Sequence, residues 1–365
     1  MNIAIVCGAR PNFIKVAPIL RKAKNFESLN IALVYTGRED DPTLEGSLFD
    51  DLGIQRPDEF LGCDKENLNE LTGQVMAEFE IYLQSHPTDT VVVVDDLAST
   101  MAIAIVTKKQ GIRLAHIAAG TRSFDITMPK EINRLVIDGL SDILFTAGIS
   151  NNSIANKEGA ELSKVYMVGN ILMDNLRDNH DIIAAAKLPS EVEGYLNTEE
   201  GRAKYLVFTL NRKALIADKE NLYQMLSQMI AVAGDMPIIA PMRKSAMETI
   251  VSLGLHRGLD LHNFHIVEPL GYLEFSNLTA NASGIITDSG NVAEEASFNQ
   301  VPCITLNSYT EHEETVKVGT NVLVGEDPAQ LAAATADMVK GNWKKSALPD
   351  RWDGRTAERI LQILA

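Results

Sequence analysis

Short apolar runs alternate with longer amphipathic segments along the first half of the chain. Residues 3–7 form an unbroken apolar run that ends in Gly8-Ala9-Arg10-Pro11, and Phe13, Ile14, Val16, Ala17, Ile19, Leu20 and Ala23 then fall at helical spacing. This predicts strand, tight loop, helix. Similar runs recur at 31–35, 91–94, 114–117 and 143–145, with helix-length segments between them at 99–109 and Pro129–Leu140. Short buried strands alternating with helices predict a parallel sheet with crossover helices.

The pattern stops at 180–199, a stretch of mixed polarity with Pro189, Gly194 and several acids, which reads as a linker. It then starts again. Residues 204–209, 237–240, 262–267, 284–287 and 303–306 read as strands, and 219–233, 272–282 and 291–299 as helices between them. The expectation is an N-terminal domain over 1–180 and a C-terminal domain over 195–345. Two successive parallel sheets place a ligand outside the carboxyl ends of their strands, in a crevice between domains.

The 365-residue length suits two domains with cores of their own, and 45% hydrophobic with 22% charged residues is a globular balance. With 33 Lys and Arg against 49 Asp and Glu, the net charge is −16. Such an acidic body argues against nucleic acid or an anionic membrane as partner, so an anionic ligand needs a local positive field. Cys7, Cys63 and Cys303 lack metal-ligand or redox spacing, and no apolar stretch is long enough for a membrane span. The reading is a cytoplasmic protein without a metal or cofactor.

Two strand-to-helix loops offer helix N-termini as anion sites. One is Gly8-Ala9-Arg10-Pro11, with Arg10 and Lys15 bringing charge to the same end. The other is Thr287-Asp288-Ser289-Gly290, where Gly290 lets a backbone approach a phosphate and an acid further along the helix can hold a ribose diol. The same residues also suit an ordinary turn with a Ser cap, and local sequence leaves both readings open. Neither GxxxxGK[ST] nor GxGxxG occurs, which disfavours a P-loop or ordinary nicotinamide enzyme.

Five motifs follow one another along the chain. They are Gly8-x-Arg10-Pro11-x-x-x-Lys15-x-Ala17-Pro18; His116-Ile117-Ala118-Ala119-Gly120-Thr121-Arg122; Pro129-Lys130-Glu131-Ile132-Asn133-Arg134; Gly169-Asn170-x-x-x-Asp174; and Thr287-Asp288-Ser289-Gly290-x-x-x-Glu294-Glu295. In this order and spacing the chain resembles the UDP-N-acetylglucosamine 2-epimerase family from its first residue to about position 324. The resemblance implies two Rossmann-like domains of glycosyltransferase-B type with an interdomain cleft, a C-terminal helix at about 354–365 packing back on the first domain, and a homodimer. It implies a UDP-sugar ligand whose C1–O bond breaks with loss of the C2 proton, giving UDP and a 2-acetamidoglucal. Re-addition gives UDP-N-acetylmannosamine, and water gives free N-acetylmannosamine.

On the nucleotide side the resemblance assigns Arg10 and Lys15 to the diphosphate, Ser289 and Gly290 to the phosphate turn, Glu295 to the uridine ribose, and adds Arg212, Arg243 and His312. On the chemical side it assigns Asp96, Glu131 and Arg134. Here the chain also departs from the family pattern. Asp96 follows Val94-Asp95 instead of His-Gly, Ala118 stands at a carboxylate position, Lys130 replaces a Glu, Asn211 stands where the family has His, and His312 replaces a phosphate-contacting Arg. Thr36-Gly37-Arg38-Glu39 departs from a Thr-Gly-Gln-His segment associated with regulatory substrate binding. Acid–base groups are each worth about 10²–10⁴ in rate. These departures therefore admit two rival expectations: a glycosyltransferase using the same UDP-sugar, or a binder without catalysis.

Overall fold

The computed structural model describes residues 1–44, 46–158, 163–199 and 201–365. The chain divides into two compact units, 1–178 with 350–365, and 179–349. Each is a parallel sheet with helical crossovers. In the first unit the strands lie in the order Glu59–Phe60, Asn30–Tyr35, Asn2–Cys7, Thr90–Val94, Arg113–Ala119, Ile143–Thr146, Lys164–Met167. In the second the order is Phe264–Val267, Ile238–Pro241, Leu206–Thr209, Gly284–Thr287, Cys303–Thr305, Asn321–Leu323. Both sheets therefore run 3-2-1-4 in chain order across their centres. The reversal falls between the first and fourth strands, and open α/β sheets place ligands at the carboxyl ends around such a reversal.

The strands expected from apolar runs are present with ends shifted by a residue or two. Those missed in the two sheets, Glu59–Phe60, Lys164–Met167 and Asn321–Leu323, sit at sheet edges, where short length or polar residues break the apolar run. Helices Leu68–Ser85, Lys244–Arg257 and Pro328–Lys340 also lay outside the expected set.

The stretch 180–199 is not a free linker. It forms helices His180–Ala185 and Ser190–Leu196, and Leu188, Val192 and Leu196 are buried with Tyr205, Val207 and Ile239 in the second unit. Pro189 read as a breaker, but it stands at the N-terminal boundary of the second helix, where proline is tolerated. Val192 and Leu196, at i and i+4, give that helix its buried face, and Leu188 packs with them from the residues ahead of it.

The last helix, Thr356–Leu364, belongs to the first unit. Ala357, Ile360, Leu361 and Leu364 are buried with Phe13, Val16 and Ile19. Its N-terminal amides are capped from far away in sequence: Thr356 N donates to Asp174 Oδ2 at 3.0 Å and Ala357 N to Oδ1 at 2.8 Å. Gly169 lets the 350–355 segment close in, since at φ +103° a Cβ would lie 2.1 Å from the Arg351 carbonyl oxygen. The motif Gly169-Asn170-x-x-x-Asp174 is thus an anchor for the C-terminal helix. No helix among the described residues is long and apolar enough to cross a membrane.

Candidate active site

In the first unit, the carboxyl ends of Asn2–Cys7, Thr90–Val94 and Arg113–Ala119 converge on a set of charged side chains. Arg10 opens the helix Arg10–Ala23, with Pro11 in its first turn. Asn12 Oδ1 accepts from Gly8 N at 2.9 Å and Ala9 N at 3.2 Å, which satisfies amides ahead of the helix. Gly8 is needed for close approach, because a Cβ there would stand 2.1 Å from Ser99 Oγ. Lys15 forms an ion pair with Asp95, Nζ to Oδ1 2.5 Å, and Asn12 Nδ2 donates to the other oxygen at 3.0 Å.

Asp95 holds a left-handed backbone, φ +61°, and turns the chain so that Asp96 follows at the carboxyl end of the central strand Thr90–Val94. Arg134 Nη2 lies 2.7 Å from Asp96 Oδ2, and Lys130 Nζ lies 3.5 Å from Oδ1. The replacement lysine therefore faces the acid. Asn133 Nδ2 fixes the Asp96 carbonyl at 2.8 Å.

Arg134 also donates to Glu131 Oε2 at 3.2 Å. The Glu131 carboxylate accepts from Ser123 N and Ser123 Oγ, both at 2.9 Å, and from Phe124 N at 3.2 Å. Burial works against its charge, but these hydrogen bonds outweigh it and hold the carboxyl below its ordinary value. Ala118 has φ +69° and brings no carboxylate. Asp96, Glu131 and Arg134 thus form one network, and Glu131 spends its oxygens on the 123–124 loop.

In the second unit, Thr287-Asp288-Ser289-Gly290 leads from its strand into the helix Gly290–Phe298. The Ser289 side chain makes no cap bond, so the capped-turn alternative is not realised. Asp288 Oδ2 instead accepts from Asn211 N at 2.7 Å and Arg212 N at 2.6 Å, joining the two loops at the strand reversal. Arg212 pairs with Glu326 at 2.8 Å and donates to the Leu306 carbonyl. Arg243 is exposed at the start of helix Lys244–Arg257.

Beside the turn lies a cavity of about 270 Å³ whose walls include Ser289, Gly290, Glu294, Thr305, Asn307 and His312. His312 Nε2 lies 3.6 Å from Glu294 Oε1. Of the two adjacent acids, Glu294 lines this cavity. Burial and the neighbouring charge of Glu294 push the Glu295 carboxyl up to about 8. Among the described residues no cluster of His, Cys, Asp and Glu has the arrangement of a metal site.

Sequence reasoning passed over Asp95, Asp138 and Glu294. Asp138 had a signal: Glu131, Arg134 and Asp138 repeat at i, i+3 and i+7 on one helix face. That face is the buried one, while Ile132 and Leu135 are 42% and 40% exposed.

Two parallel α/β units, each with its strand order reversing at the centre, give the chain a fold of glycosyltransferase-B type. The chain belongs to the UDP-N-acetylglucosamine 2-epimerase family, whose profile matches residues 21–365. It is 34% identical to a UDP-N-acetylglucosamine 2-epimerase of Methanocaldococcus jannaschii over 100% of this chain and 99% of the relative. It is 31% identical to a UDP-2,3-diacetamido-2,3-dideoxy-D-glucuronate 2-epimerase of Pseudomonas aeruginosa, over 100% and 99%. The crystal structure of the M. jannaschii enzyme in complex with UDP-N-acetylglucosamine and UDP superposes with a TM-score of 0.83 at 32% identity, covering 100% of this chain and 99% of that one.

Proposed function

We propose that this protein is a UDP-sugar 2-epimerase acting on UDP-N-acetylglucosamine by C1–O cleavage with loss of the C2 proton. The observation that carries the reading is full-length similarity to 2-epimerases together with a charged network at the strand ends of the first unit. An elimination of this kind requires a positioned acid–base group and stabilisation of the departing diphosphate.

In this reading Asp96 is the acid–base group. Arg134 orients it, and Glu131 fixes both Arg134 and the 123–124 loop. Lys130 brings a cation to the reacting centre. The phosphate-binding groups of this reading are Arg10 and Lys15 in the first unit and, in the second, the turn at Ser289 and Gly290 with Arg212, Arg243 and His312, and Glu295 is its acid for the uridine ribose. No cofactor is required. We place the protein in the cytoplasm, a reading supported by three buried free cysteines, and take it as a homodimer on the sequence resemblance alone.

The test is incubation of the pure protein with UDP-N-acetylglucosamine in deuterated water, followed by proton NMR. Deuterium at C2 with appearance of the manno epimer or free N-acetylmannosamine is the expected result. Binding without exchange at C2 removes the reading.

A further inference from the structure

Two oxygen acceptors face the ring of His116. Nδ1 lies 2.6 Å from Asp138 Oδ1, Nε2 lies 3.0 Å from the Asp95 carbonyl oxygen, and the residue is 2% exposed. A carbonyl oxygen only accepts, and so does a carboxylate. Both contacts are therefore hydrogen bonds only when both ring nitrogens carry a proton. A protonated Asp138 donating to a neutral ring is opposed by Arg122 Nη1 at 2.7 Å and Gly120 N at 3.0 Å from its other oxygen, since both donors favour the charged carboxylate. The charged groups around the ring are Asp138 and, beyond it, Arg122 on one side, and Asp95 with Lys15 on the other.

What the ring holds is strained. Asp95 and Ala118 have φ of +61° and +69°, left-handed conformations that cost a side-chain-bearing residue energy and persist only when their surroundings fix them. The Asp138 carboxylate fixes the second turn directly, through Gly120 N, and reaches the first only through His116. That first turn carries Asp96 to Arg134. Neither His116 nor Asp138 was absorbed by the acid–base network described above.

The geometry points to His116, held as an imidazolium by Asp138, as a positioning residue that fixes Asp96 against Arg134 through the Asp95 carbonyl. This rests on the reading of Asp96 as the acid–base group. Two amides separate the two bonds of the ring. His116→Gln keeps a donor at the Nε2 position, toward Asp95, and His116→Asn keeps one at the Nδ1 position, toward Asp138.

The experiment has three readouts. In turnover of UDP-N-acetylglucosamine, His116→Asn is expected to lower kcat by about 10²-fold with KM nearly unchanged, as for a misplaced catalytic group, while His116→Gln retains most of the rate. Equal losses in both variants, or a loss confined to KM, overturn the proposal. Nitrogen-15 NMR of the histidine-labelled protein, with the His116 resonances assigned by their absence in His116→Gln, is expected to show both ring nitrogens protonated. A neutral tautomer in the folded protein overturns the proposal whether or not the protein turns over substrate. A crystal structure of His116→Asn is expected to show Asp96 parted from Arg134, and an unchanged contact overturns the positioning role. An inactive wild-type protein in which the ring is doubly protonated and Asp96 moves in the variant removes the substrate reading alone.

Discussion

The ammonium of Lys15 sits 2.5 Å from the carboxylate of Asp95, so a cation assigned to the diphosphate already has an anionic partner on its own unit. Asp95 is the residue that stands where the family pattern has glycine, and it keeps glycine's left-handed backbone, φ +61°. The side chain added at that position reaches back to the first helix and lowers the positive field there.

Replacing that acid tests the consequence. Asp95→Gly relieves a left-handed conformation worth about 1–2 kcal/mol while losing the Lys15 and Asn12 contacts, so the change in Tm is expected to be small. Affinity for UDP is expected to rise several-fold, with a steeper dependence on salt, because Lys15 loses its internal counter-charge. Calorimetry at two ionic strengths reads both. Unchanged affinity at low salt shows that Lys15 does not meet the ligand.

Asp96 has the largest expected effect on rate. Asp96→Asn keeps the shape but leaves Arg134, whose side chain is only 5% exposed, against a neutral amide. The expected result is a loss of about 10²–10⁴ in kcat with about 1–3 kcal/mol of stability. Chemical denaturation alongside the deuterium-exchange assay separates the two. Wild-type exchange in this variant would falsify the role given to Asp96.

Lys130→Glu restores a carboxylate 34 residues after Asp96 and removes one of its two cationic neighbours. Because Lys130 is exposed, the fold is expected to tolerate the change within about 0.5 kcal/mol. If the family arrangement is the more active one, C2 exchange rises, and more so when Ala118→Glu and Asn211→His are added. Lower exchange in the triple variant than in wild type shows that the lysine has become part of the chemistry.

Glu295 makes stability depend on pH in the alkaline direction. Its carboxyl is pushed up to about 8 in the folded protein from an ordinary value near 4.5. The folded state therefore binds the proton more tightly than the unfolded chain. This contribution is complete below about pH 4.5 and is lost as pH rises to about 8, amounting to a few kcal/mol at most. Glu295→Gln is expected to flatten the decline of Tm across that window. A parallel decline in both proteins assigns it to other groups.

Asp174 is buried, and burial raises its carboxyl above the ordinary value despite the amides of Thr356 and Ala357 and the charge of Lys22. Asp174→Ala orphans both amides and is expected to cost about 1–3 kcal/mol. The loss is expected to appear first as proteolysis within 350–365. Uniform loss of the first unit without early cutting there shows that the helix is held by its apolar face alone.

The two parallel sheets are legible in the chain, because short apolar strands and amphipathic helices each carry their own period. The sequence also placed Arg10, Ser289 and Gly290 at strand-to-helix turns, with Lys15 in the helix that follows the first, since those turns are local. It did not show that Pro129–Leu140 buries Glu131, Arg134 and Asp138 while exposing Ile132 and Leu135. A helical period gives two faces, and only the packing partner decides which is inside. Tertiary structure decided this by bringing Asp96, His116, Arg122 and Ser123 to the polar face, so that every buried charge there meets an opposite charge or a hydrogen-bond donor. The cap on Thr356–Leu364 was hidden for the same reason, because its acceptor lies 182 residues away in the chain.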